Sequence, residues 1–438
     1  MKRVALIGDL KWCETLKSDI NSSGTLIVTC IGSKIADIDK GKTDIVFVSP
    51  TLNGYKELVE SIIGDGIPVQ IIPNGNAPTH HISDDKLIER LIATGLIREQ
   101  TECTDEEGKF INGKRVMITG AGGSIGSDLA RKLLKFKPSH IALVDNTENG
   151  VYEIDLDMSI DGFTDKTPIV SDIRNRSRVR SIMEFVKPDI VFHIAARKHV
   201  PLMEMYPEEA VTTNINGTMI VLEEADRIGA ERFTFISTDK AADPANIMGA
   251  TKRIAERVIQ RYNKPSLKRC IVRFENVLDS RGNVVYTFLR QLRRGSQLTV
   301  TSPKMDRYFI TRDHASLFII RASNLAENGE VFVPDAGPPI NISTLASTIG
   351  KVMGYTEGKD FEIVYTKPRP GEKMSEELVT KAEMARQKKL NGIFIIPAVD
   401  DHPDDFDMNL KRLIDAAERV DRKEIRELIA ELEPTYNP

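Results

Sequence analysis

Apolar runs alternate with polar and helical stretches through the first 75 residues, and this pattern predicts a small α/β domain. The runs "RVALIG", "TLIVTCIG", "DIVFVSP" and "IPVQIIP" predict strands, and "YKELVESIIGDG" before the last run predicts a helix. Because strands that alternate with helices favour a parallel sheet, we expect one compact domain over residues 1–75. Gly8 follows the first strand without a glycine-rich turn, which favours a structural or regulatory module over a nucleotide-binding one.

Residues 76–112 are mostly polar and predict a linker. "NGNAPTHHISDD" and "REQTECTDEEGKFINGK" are rich in turn-forming and charged residues, and they flank a single helical pattern, "KLIERLIATGLI". We therefore expect one short helix between two irregular stretches, with His80 and His81 exposed to solvent.

A second alternating pattern begins at Lys114 and predicts a larger sheet. The runs "RVMITG", "HIALVD", "DIVFHIAA", "RFTFIST" and "RCIVRFENV" predict strands, and "SDLARKLLKF" places Leu129, Leu133 and Leu134 on one helical face. This order predicts an α/β fold, with a Rossmann-type doubly wound parallel sheet over residues 113–277. The N-terminal domain is expected to be a smaller Rossmann-like unit.

The pattern becomes less regular from Leu278 onward. "VVYTFLRQLRRG" predicts a helix, short apolar runs predict small strands, and "LKRLIDAAERVDRKEIRELIAELE" predicts one final amphipathic helix. We therefore expect residues 278–438 to form a smaller C-terminal substrate lobe over the sheet.

Composition excludes several classes of protein. The 438 residues carry a formal net charge of -4, which gives no general attraction to nucleic acid or anionic membranes. No run reaches the length of a membrane span, and "MKRVALIGDL" turns polar too early for a signal peptide, so we expect a soluble cytoplasmic protein. Cys13, Cys30, Cys103 and Cys270 have no paired spacing, which favours reduced thiols and no metal site.

A glycine turn between a strand and a helix predicts a dinucleotide site. Gly120, Gly123 and Gly126 in "TGAGGSIG" let backbone N–H groups approach a pyrophosphate. Ser124 and Ile125 begin the helix of this turn and are expected beside the same phosphates.

The ends of the following strands predict the rest of the cofactor site. Asp145 would accept hydrogen bonds from the adenosine ribose, and the absence of an arginine at Asn146 favours NAD over NADP. Further positions are expected at the adenine edge and where the backbone passes close to the cofactor: Asp172, Ile173, Ala195 and Ala196.

Five ordered motifs over about residues 110–438 together carry a family resemblance. They are "TGAGGSIGS", "KHVPLMEMYPEEAVTTNINGT", "STDKAADPANIMGATKR", "NVLDSRGNVVYTFLRQLRRGSQLTVTSPKMDRYFITRDHA" and "RPGEKMSEEL". The sequence resembles the nucleotide-sugar 4,6-dehydratases of the extended short-chain dehydrogenase superfamily, and most of all the long-form UDP-N-acetylglucosamine 4,6-dehydratases of polysaccharide biosynthesis. The N-terminal segment resembles the Rossmann-like domain that long members carry after membrane helices.

The resemblance implies a reaction in which hydride leaves sugar C4 for NAD, water is eliminated across C5 and C6, and hydride returns to C6. It makes Asp239 the acid that protonates the departing C6 oxygen and Lys240 the base that removes the C5 proton. Met248 stands where short-chain dehydrogenases have a catalytic tyrosine, and the long members of the family share this methionine. We expect the C4 hydroxyl proton to leave through Thr238 or Asp239, with Lys252 supplying a positive field and binding the nicotinamide ribose.

The residues taken alone leave other interpretations open. Asp239 and Lys240 would also suit an exposed ion pair, Lys252 a solvated helix position, and Met248 the filling of a core gap. Asn214 either helps to position the active site or lies on a helix surface.

The resemblance also implies a set of substrate-binding residues. Arginines match the diphosphate of a UDP-sugar, because guanidinium groups pair with phosphate oxygens. The expected contacts with sugar, diphosphate or ribose are Lys198, which we rank above His199, Asn276, Arg281, Arg307, Arg369 and Glu372. Glu275, Asp279 and Arg197 depart from the usual family pattern near the sugar, which affects the identity of the hexose more than the reaction.

Two other functions compete with dehydration. A nucleotide-sugar epimerase would use the same oxidation at C4 but would want a tyrosine at position 248, and a nonenzymatic NAD or nucleotide-sugar sensor would not need the Asp239–Lys240 pair. Dehydration with retention at C5 is favoured. We also expect a homo-oligomer, in which the terminal helix could supply contacts.

Overall fold

The computed structural model describes residues 2–8, 26–32, 43–49, 69–71, 84–97 and 104–437 except 263, 296, 336 and 400–404, together with Cys13, Glu14, Leu16, Lys17, Ile38 and Ile62. His80, His81, Cys103 and all but Ile62 of the predicted helix "YKELVESIIGDG" lie outside the described residues. The chain forms two compact units, Met1–Leu87 with Gly350–Thr356, and Ile88–Ile349 with Glu357–Pro438.

The first unit contains a four-stranded parallel sheet. Its strands are β1 (Lys2–Ile7), β2 (Leu26–Gly32), β3 (Ile45–Val48) and β4 (Val69–Ile71), in the order β2-β1-β3-β4. These strands lie within the four apolar runs of the N-terminal sequence. Val4, Leu6 and Phe47 are buried in the core of the sheet, where they pack with Cys13 and Leu16. The proposed domain boundary at residue 75 stays a proposal.

The second unit is built on a nine-stranded sheet. Its strands are β5 (Arg115–Thr119), β6 (His140–Asp145), β7 (Lys166–Val170), β8 (Ile190–His193), β9 (Arg232–Thr238), β10 (Lys268–Phe274), β15 (Asn328–Pro334), β18 (Lys388–Leu390) and β19 (Ile393–Ile396). The order is β18-β19-β15-β10-β9-β8-β5-β6-β7, in which β18 and β19 pair antiparallel and the other seven strands are parallel. The predicted α/β fold with a Rossmann-type doubly wound sheet is confirmed.

Three strand pairs lie apart from this large sheet. β11 (Asn276–Val277) pairs with β14 (Phe309–Ile310), β12 (Leu298–Val300) with β17 (Ile363–Tyr365), and β13 (Asp306–Arg307) with β16 (Ile340–Asn341). All of these strands except β11, which lies within the predicted strand "RCIVRFENV", belong to the part of the chain whose pattern predicts small strands.

The helices follow the strands in the alternating order of the sequence pattern. The described α-helices are α1 (Asp84–Ala93), α2 (Asp105–Gly108), α3 (Ser124–Leu133), α4 (Glu148–Ile160), α5 (Arg176–Val186), α6 (Val200–Met205), α7 (Pro207–Ala210), α8 (Thr218–Arg227), α9 (Ile247–Arg261), α10 (Val284–Arg293), α11 (Arg312–Leu325), α12 (Ile342–Val352), α13 (Lys381–Met384), α14 (Phe406–Glu418) and α15 (Arg422–Leu432). Short 3₁₀ turns occupy Lys109–Ile111, Leu134–Phe136 and Asp239–Ala241, and a π-helix occupies Val211–Gly217.

The helices bury their apolar stripes on both faces of the large sheet. Leu129 and Leu133 of α3 pack with Phe318 of α11 on one face, and the helices α5, α8 and α9 cover the other. Leu134 is only partly buried against the first of these clusters. This arrangement leaves the carboxyl ends of the parallel strands as the place where polar side chains meet.

The prediction of one final amphipathic helix is wrong. The chain forms α14 and α15 instead, because Val420 between them takes a left-handed backbone conformation with φ of 61°. Asp421 then caps α15 by accepting a hydrogen bond from the N–H of Glu424. The apolar faces of both helices pack against α6, α7 and α9, where Leu413 and Leu428 are buried.

The part of the chain predicted to form a separate lobe contributes strands to the large sheet. β15 continues the parallel order beside β10, and β19 and β18 extend the same edge. A lobe boundary between residues 277 and 278 therefore stays a proposal, and residues on either side of it share one hydrophobic core.

A buried network of charges joins β9, β10, α9 and α13. The Arg273 guanidinium makes two hydrogen bonds to Glu256, at 2.9 and 2.7 Å, and two to Glu383, both at 2.8 Å. Arg253 donates to the same two carboxylates, and the Ser237 hydroxyl donates to Glu256 at 2.6 Å. Burial alone would raise the pKa of Glu256 and of Glu383, but the charge of Arg273 lowers both below the ordinary value.

We expect Arg273→Met to destabilise the protein by about 3–5 kcal/mol, because two buried carboxylates would lose their main partner. The free energy of unfolding, measured by chemical denaturation, checks this value. Lys423→Ala is the control, since the Lys423–Glu427 pair on α15 is exposed and should contribute little. A midpoint of Arg273→Met equal to that of the wild type would contradict the role given to the network.

Candidate active site

A cavity of about 560 Å³ opens at the carboxyl ends of β5, β6, β8, β9 and β10. In parallel α/β sheets this edge is where ligands bind. The predicted site residues that line it are Gly120, Gly123, Ser124, Ile125, Asp145, Asn146, Asp172, Ile173, Ala195, Ala196, Lys198, Thr238, Lys240, Met248, Lys252, Asn276 and Arg281. Those that do not line it are Gly126, Asn214, Asp239, Arg307, Arg369 and Glu372.

The glycine turn of the cavity has no room for side chains. Gly120 has a φ of 75°, and a Cβ atom there would lie 2.7 Å from the backbone nitrogen of Ala195. A Cβ atom on Gly126 would lie 2.1 Å from the carbonyl oxygen of Gly120, so Gly126 shapes the turn from behind rather than lining the cavity. This close packing leaves the N-terminus of α3 open to a phosphate.

Asp145 is fixed by the backbone around it. Its Oδ2 accepts a hydrogen bond from the N–H of Gly122 at 3.0 Å, and its Oδ1 accepts one from the N–H of Thr147 at 2.9 Å. A carboxylate has further lone pairs on each oxygen, so Asp145 can still accept from a ribose hydroxyl. The turn and this acid thus form one cradle that fits an adenosine diphosphate.

Asp172 is held by an arginine that follows it. Arg174 donates to Asp172 through Nη2 at 2.7 Å, and its Nη1 lies 3.1 Å from a carboxylate oxygen of Glu209. Burial alone would raise the pKa of Asp172, but the hydrogen bonds from Arg174 lower it below the ordinary value. Asp172 therefore stays an acceptor at the far end of the cavity.

Lys252 is buried, so the interpretation as a solvated lysine is wrong. Its ammonium donates to the carbonyl oxygen of Ile236 at 2.5 Å and lies 3.8 Å from the ring centroid of Phe235. Burial lowers the pKa of Lys252 to about 7, while the charge of Glu256 acts in the opposite direction. Its charge is therefore sensitive to what binds beside it.

Sequence reasoning missed His193, which lies beneath the cavity. The ring bridges the hydroxyls of Thr119 and Thr218, at 2.7 and 2.9 Å. Burial and the charge of Lys252 lower the pKa of His193 to about 3, so the ring stays neutral. It holds β5, β8 and α8 together and adds no charge to the site.

The Thr238–Asp239–Lys240 stretch forms a tight turn at the end of β9. Asp239 is fully buried, and its Oδ1 accepts from the Thr238 hydroxyl at 2.8 Å, the Lys240 N–H at 2.9 Å and the Lys240 ammonium at 3.0 Å. The interpretation as an exposed ion pair is therefore wrong. Lys240 lines the cavity and also lies 4.0 Å from Glu376, which is itself buried.

The start of α9 packs directly against this turn. A Cβ atom on Gly249 would lie 2.2 Å from the carbonyl oxygen of Lys240, so only glycine permits the approach. Met248, beside it, is 4% exposed, belongs to a hydrophobic cluster and also lines the cavity. Met248 thus fills a gap in the core and also lines the cavity, so the core-filling interpretation is compatible with a position at the site.

Asn214 lies behind the cavity rather than on a helix surface, so the surface interpretation is wrong. It belongs to the π-helix Val211–Gly217 and is fully buried. Its side chain accepts from the N–H of Arg197 at 2.8 Å and donates to the Arg197 carbonyl at 3.1 Å and to the Thr251 hydroxyl at 3.2 Å. Asn214 therefore holds the loop that follows β8 against α9.

The predicted substrate residues divide into two groups. Lys198, Asn276 and Arg281 line the cavity, where the Lys198 ammonium donates to the Arg281 carbonyl at 2.9 Å. Arg281 is mostly exposed, and its backbone N–H donates to the Ser124 hydroxyl of the glycine turn at 2.9 Å. These contacts bring the loop after β11 over the nucleotide end of the cavity.

Arg307, Arg369 and Glu372 lie outside the cavity lining. The Arg307 guanidinium donates to the carbonyls of Asp306, Lys373 and Met374, at 2.8, 2.6 and 3.1 Å, which ties "RPGEK" to β13. Arg369 is exposed, and its N–H donates to Glu372 at 3.1 Å. Phosphate and ribose contacts from these three residues stay predictions. The Arg307 guanidinium already donates hydrogen bonds to three backbone carbonyls.

Sequence reasoning connected Glu275 only with the identity of the hexose and did not place it among the site residues, but it lines the cavity at the end of β10. It is 5% exposed, and neither carboxyl oxygen has a hydrogen-bond partner among the described residues. Burial raises the pKa of Glu275 well above its ordinary value, and the charges of Asp239 and Asp335 raise it further. The only signal in the sequence is its departure from the usual family pattern.

In the part of the chain that the structure describes, no group of three or more His, Cys, Asp or Glu side chains is arranged to bind a metal ion. Among the same residues, no helix combines the length and the apolar character that crossing a membrane requires. Cys13 and Cys270 are buried free thiols.

Comparison with known proteins places the second unit in a family. Residues 116–398 match the model of a family described as polysaccharide biosynthesis protein. The probable polysaccharide biosynthesis protein EpsC of Bacillus subtilis is 40% identical over 357 residues, which cover 79% of this chain and 58% of EpsC. The chain thus spans little more than half the length of this curated relative.

Two solved structures share the fold. Pen from Bacillus thuringiensis is 34% identical with a TM-score of 0.62, and the match covers 66% of this chain and 89% of Pen. The dTDP-glucose 4,6-dehydratase DesIV from Streptomyces venezuelae, solved with NAD bound, is 20% identical with a TM-score of 0.53, covering 60% of this chain and 88% of DesIV. The predicted cofactor is thus present in a structure of the same fold. The chain belongs to the polysaccharide biosynthesis protein family, within the extended short-chain dehydrogenase superfamily.

Proposed function

We propose that this protein is an NAD-dependent hydro-lyase that converts UDP-N-acetylglucosamine into a UDP-4-keto-6-deoxy-N-acetylhexosamine for polysaccharide or glycan biosynthesis. The observation that carries the proposal is the turn of Thr238, Asp239 and Lys240, in which Asp239 is buried against Lys240 and Lys240 lines the same cavity as Lys252. Oxidation at C4 needs a positive group near the nicotinamide, and elimination needs a base in addition. Lys252 would supply the positive group and Lys240 the base.

The cavity fits NAD in its chemistry. Gly120 and Gly126 keep the phosphate turn free of side chains, and Asp145 faces the cavity with lone pairs to spare. When bound, NAD accepts a hydride from sugar C4 and returns it to C6. Lys252 would hold the nicotinamide ribose, and its buried charge would stabilise negative charge at the C4 oxygen.

Lys240 is placed to act on the sugar. Its ammonium lies between Asp239 at 3.0 Å and the amide oxygen of Asn276 at 3.5 Å, and both contacts orient it at the cavity wall. Once C4 is a ketone, the C5 hydrogen is acidic, and the Lys240 amine is the base that removes it. Lys198 and Arg281 at the loop over the cavity would contact the UDP-sugar.

Met248 favours dehydration over epimerisation. An epimerase of this superfamily would use a phenol at this position, and the Met248 thioether cannot transfer a proton. A dehydratase can move the C4 proton through the hydroxyl of Thr238, which donates to Asp239 at 2.8 Å. A nonenzymatic sensor would have no need of this connected set of Thr238, Asp239, Lys240 and Lys252. Retention at C5 and a homo-oligomeric, cytoplasmic enzyme are parts of the same proposal.

The direct test is incubation of the purified protein with UDP-N-acetylglucosamine. We expect a product lighter by one water, NAD that co-purifies with the protein, and no steady absorbance increase at 340 nm, because the reduced cofactor is reoxidised in each turnover. Mass spectrometry and absorbance check these outcomes. An isomer of unchanged mass would favour epimerisation, unchanged sugar would favour the sensor, and steady accumulation of NADH would refute internal hydride return.

Lys240→Ala should keep bound NAD but lose dehydration by at least about 100-fold, because the base is removed while the glycine turn is untouched. Cofactor content after denaturation and product formation by mass spectrometry measure the two effects separately. Lys411→Ala, at an exposed position of α14, is the control and should behave as the wild type. Wild-type turnover by Lys240→Ala would refute the base assignment.

A further inference from the structure

Besides Glu376, two further buried carboxyl groups lie in this region, and Asp239 and Glu275 differ in their surroundings. Asp239 is fully buried and does not line the cavity, whereas Glu275 lines it. Three donors converge on Oδ1 of Asp239, from the Thr238 hydroxyl and from the N–H and ammonium groups of Lys240. These contacts fix the Asp239 carboxyl group and the Lys240 side chain against each other, while Oδ2 of Asp239 has no hydrogen-bond partner among the described residues. Asp239 therefore suits the task of holding Lys240 better than that of giving a proton to a ligand.

Glu275 has the opposite surroundings. Phe274 ends β10 and Glu275 follows it directly, so the strand fixes the backbone at the cavity wall from which this buried carboxyl group extends. Its own backbone N–H lies close enough to act against the rise of its pKa, but within the described part of the chain neither oxygen accepts a hydrogen bond of good geometry. A buried carboxyl group without a partner is unfavourable for folding alone, which points to a ligand as the missing partner.

We propose that Glu275 is the proton donor that converts the departing C6 hydroxyl into water, and that Asp239 is a positioning residue for Lys240. This inference rests on the proposed dehydration and changes the residue to which the resemblance gives the acid role. It makes the side chain at position 275 a catalytic residue of the cavity rather than a determinant of hexose identity.

The electrostatic surroundings support the neutral acid form of Glu275. Burial raises its pKa well above the ordinary value, and the negative charges of Asp239 and Asp335 add to the effect. A carboxylic acid kept protonated at neutral pH by such surroundings is able to donate a proton. Asp239 thus helps to keep Glu275 protonated while it pairs with Lys240.

The elimination step balances with these assignments. The Lys240 amine takes the C5 proton, and the electron pair of that C–H bond forms the double bond between C5 and C6. The C6–O bond breaks, its electron pair stays on oxygen, and the proton from Glu275 completes a water molecule. The proton released by the C4 hydroxyl during oxidation then restores the Glu275 carboxylic acid. When hydride reaches C6, Lys240 returns its proton to C5, so one turnover loses only water.

The test compares two leaving groups in the Glu275→Gln variant. One substrate is UDP-N-acetylglucosamine, and the other carries fluorine in place of the C6 hydroxyl, because fluoride leaves without a proton. We expect kcat of Glu275→Gln to fall by at least about 100-fold with the hydroxyl substrate and to stay within about tenfold of the wild type with the fluoro compound. Fluoride release and product mass report the two reactions.

Two further variants identify which carboxyl group acts. Asp239→Asn should lose turnover with both compounds, because Lys240 loses its main partner. Asp279→Asn is the matched control from the same loop, since the Asp279 carboxyl is paired with Arg312 at 3.1 Å and does not line the cavity. It should show the same ratio of hydroxyl to fluoride rates as the wild type.

Other outcomes would overturn the inference. Equal losses with both compounds in Glu275→Gln would indicate a structural role, and wild-type rates with both would remove Glu275 from the chemistry. Rescue by fluoride in Asp239→Asn would return the acid role to Asp239. If the glutamine variant folds poorly, judged by bound NAD and unfolding midpoint, the same ratio is measured in Glu275→Ala. A wild type that eliminates neither leaving group would instead refute the dehydratase itself.

Discussion

The ion network centred on Arg273 is the interaction on which the geometry of the site depends. Arg273 and Glu256 are fully buried, and desolvating such charges is favourable only when every hydrogen bond is made in good geometry. The network therefore tolerates little displacement of the elements that carry it. Ser237 hydrogen-bonds to it one residue before Thr238, and Arg273 itself stands two residues before Glu275. Thr238 and Glu275 thus start from backbone that is fixed by charge pairing beside them.

The same burial that makes the network demanding also adjusts the charges above it. Desolvation lowers the pKa of Lys252 to about 7 and of His193 to about 3, and it raises that of Glu275. With His193 and Glu275 neutral, the basic side chains that line the cavity nearby are Lys240 and Lys252. Because these groups are buried, a change of one proton in this set alters the field in the cavity more than it would at a surface.

The sequence predicts those parts of the structure that depend on local pattern. The apolar runs predict the strands because burial on both faces demands uninterrupted hydrophobic residues, and the glycine spacing predicts the phosphate turn because only glycine avoids the contacts at Gly120 and Gly126. The break at Val420 escaped prediction, since the apolar positions continue through it and the left-handed conformation of a valine leaves no local signal.

Contacts between distant positions also escaped prediction. Arg307 lies in a family motif and suggests a phosphate ligand, but its donors meet carbonyls 66 and 67 positions away. Asp239 and Glu275 are both acids of this region, and only the fold shows that three donors meet Oδ1 of Asp239 whereas no described residue donates a good hydrogen bond to Glu275. Such differences arise from pairing and burial, which composition and spacing do not encode.

The last helix extends the support of the site to a further segment of the chain. Glu433 directly after α15 is fully buried. It forms ion pairs with two arginines of α9, at 2.9 Å with Arg257 and at 3.9 Å with Arg253. Arg253 in turn pairs with Glu256 and Glu383, and both of these carboxylates also pair with Arg273. Charges of alternating sign therefore run from Glu433 through α9 to Arg273. Because each buried carboxylate shares its arginine with the next, moving any one of these segments would leave a charge unpaired in a dry interior. The position of α9, and with it that of Met248 and Lys252, is therefore set by residues far from the cavity.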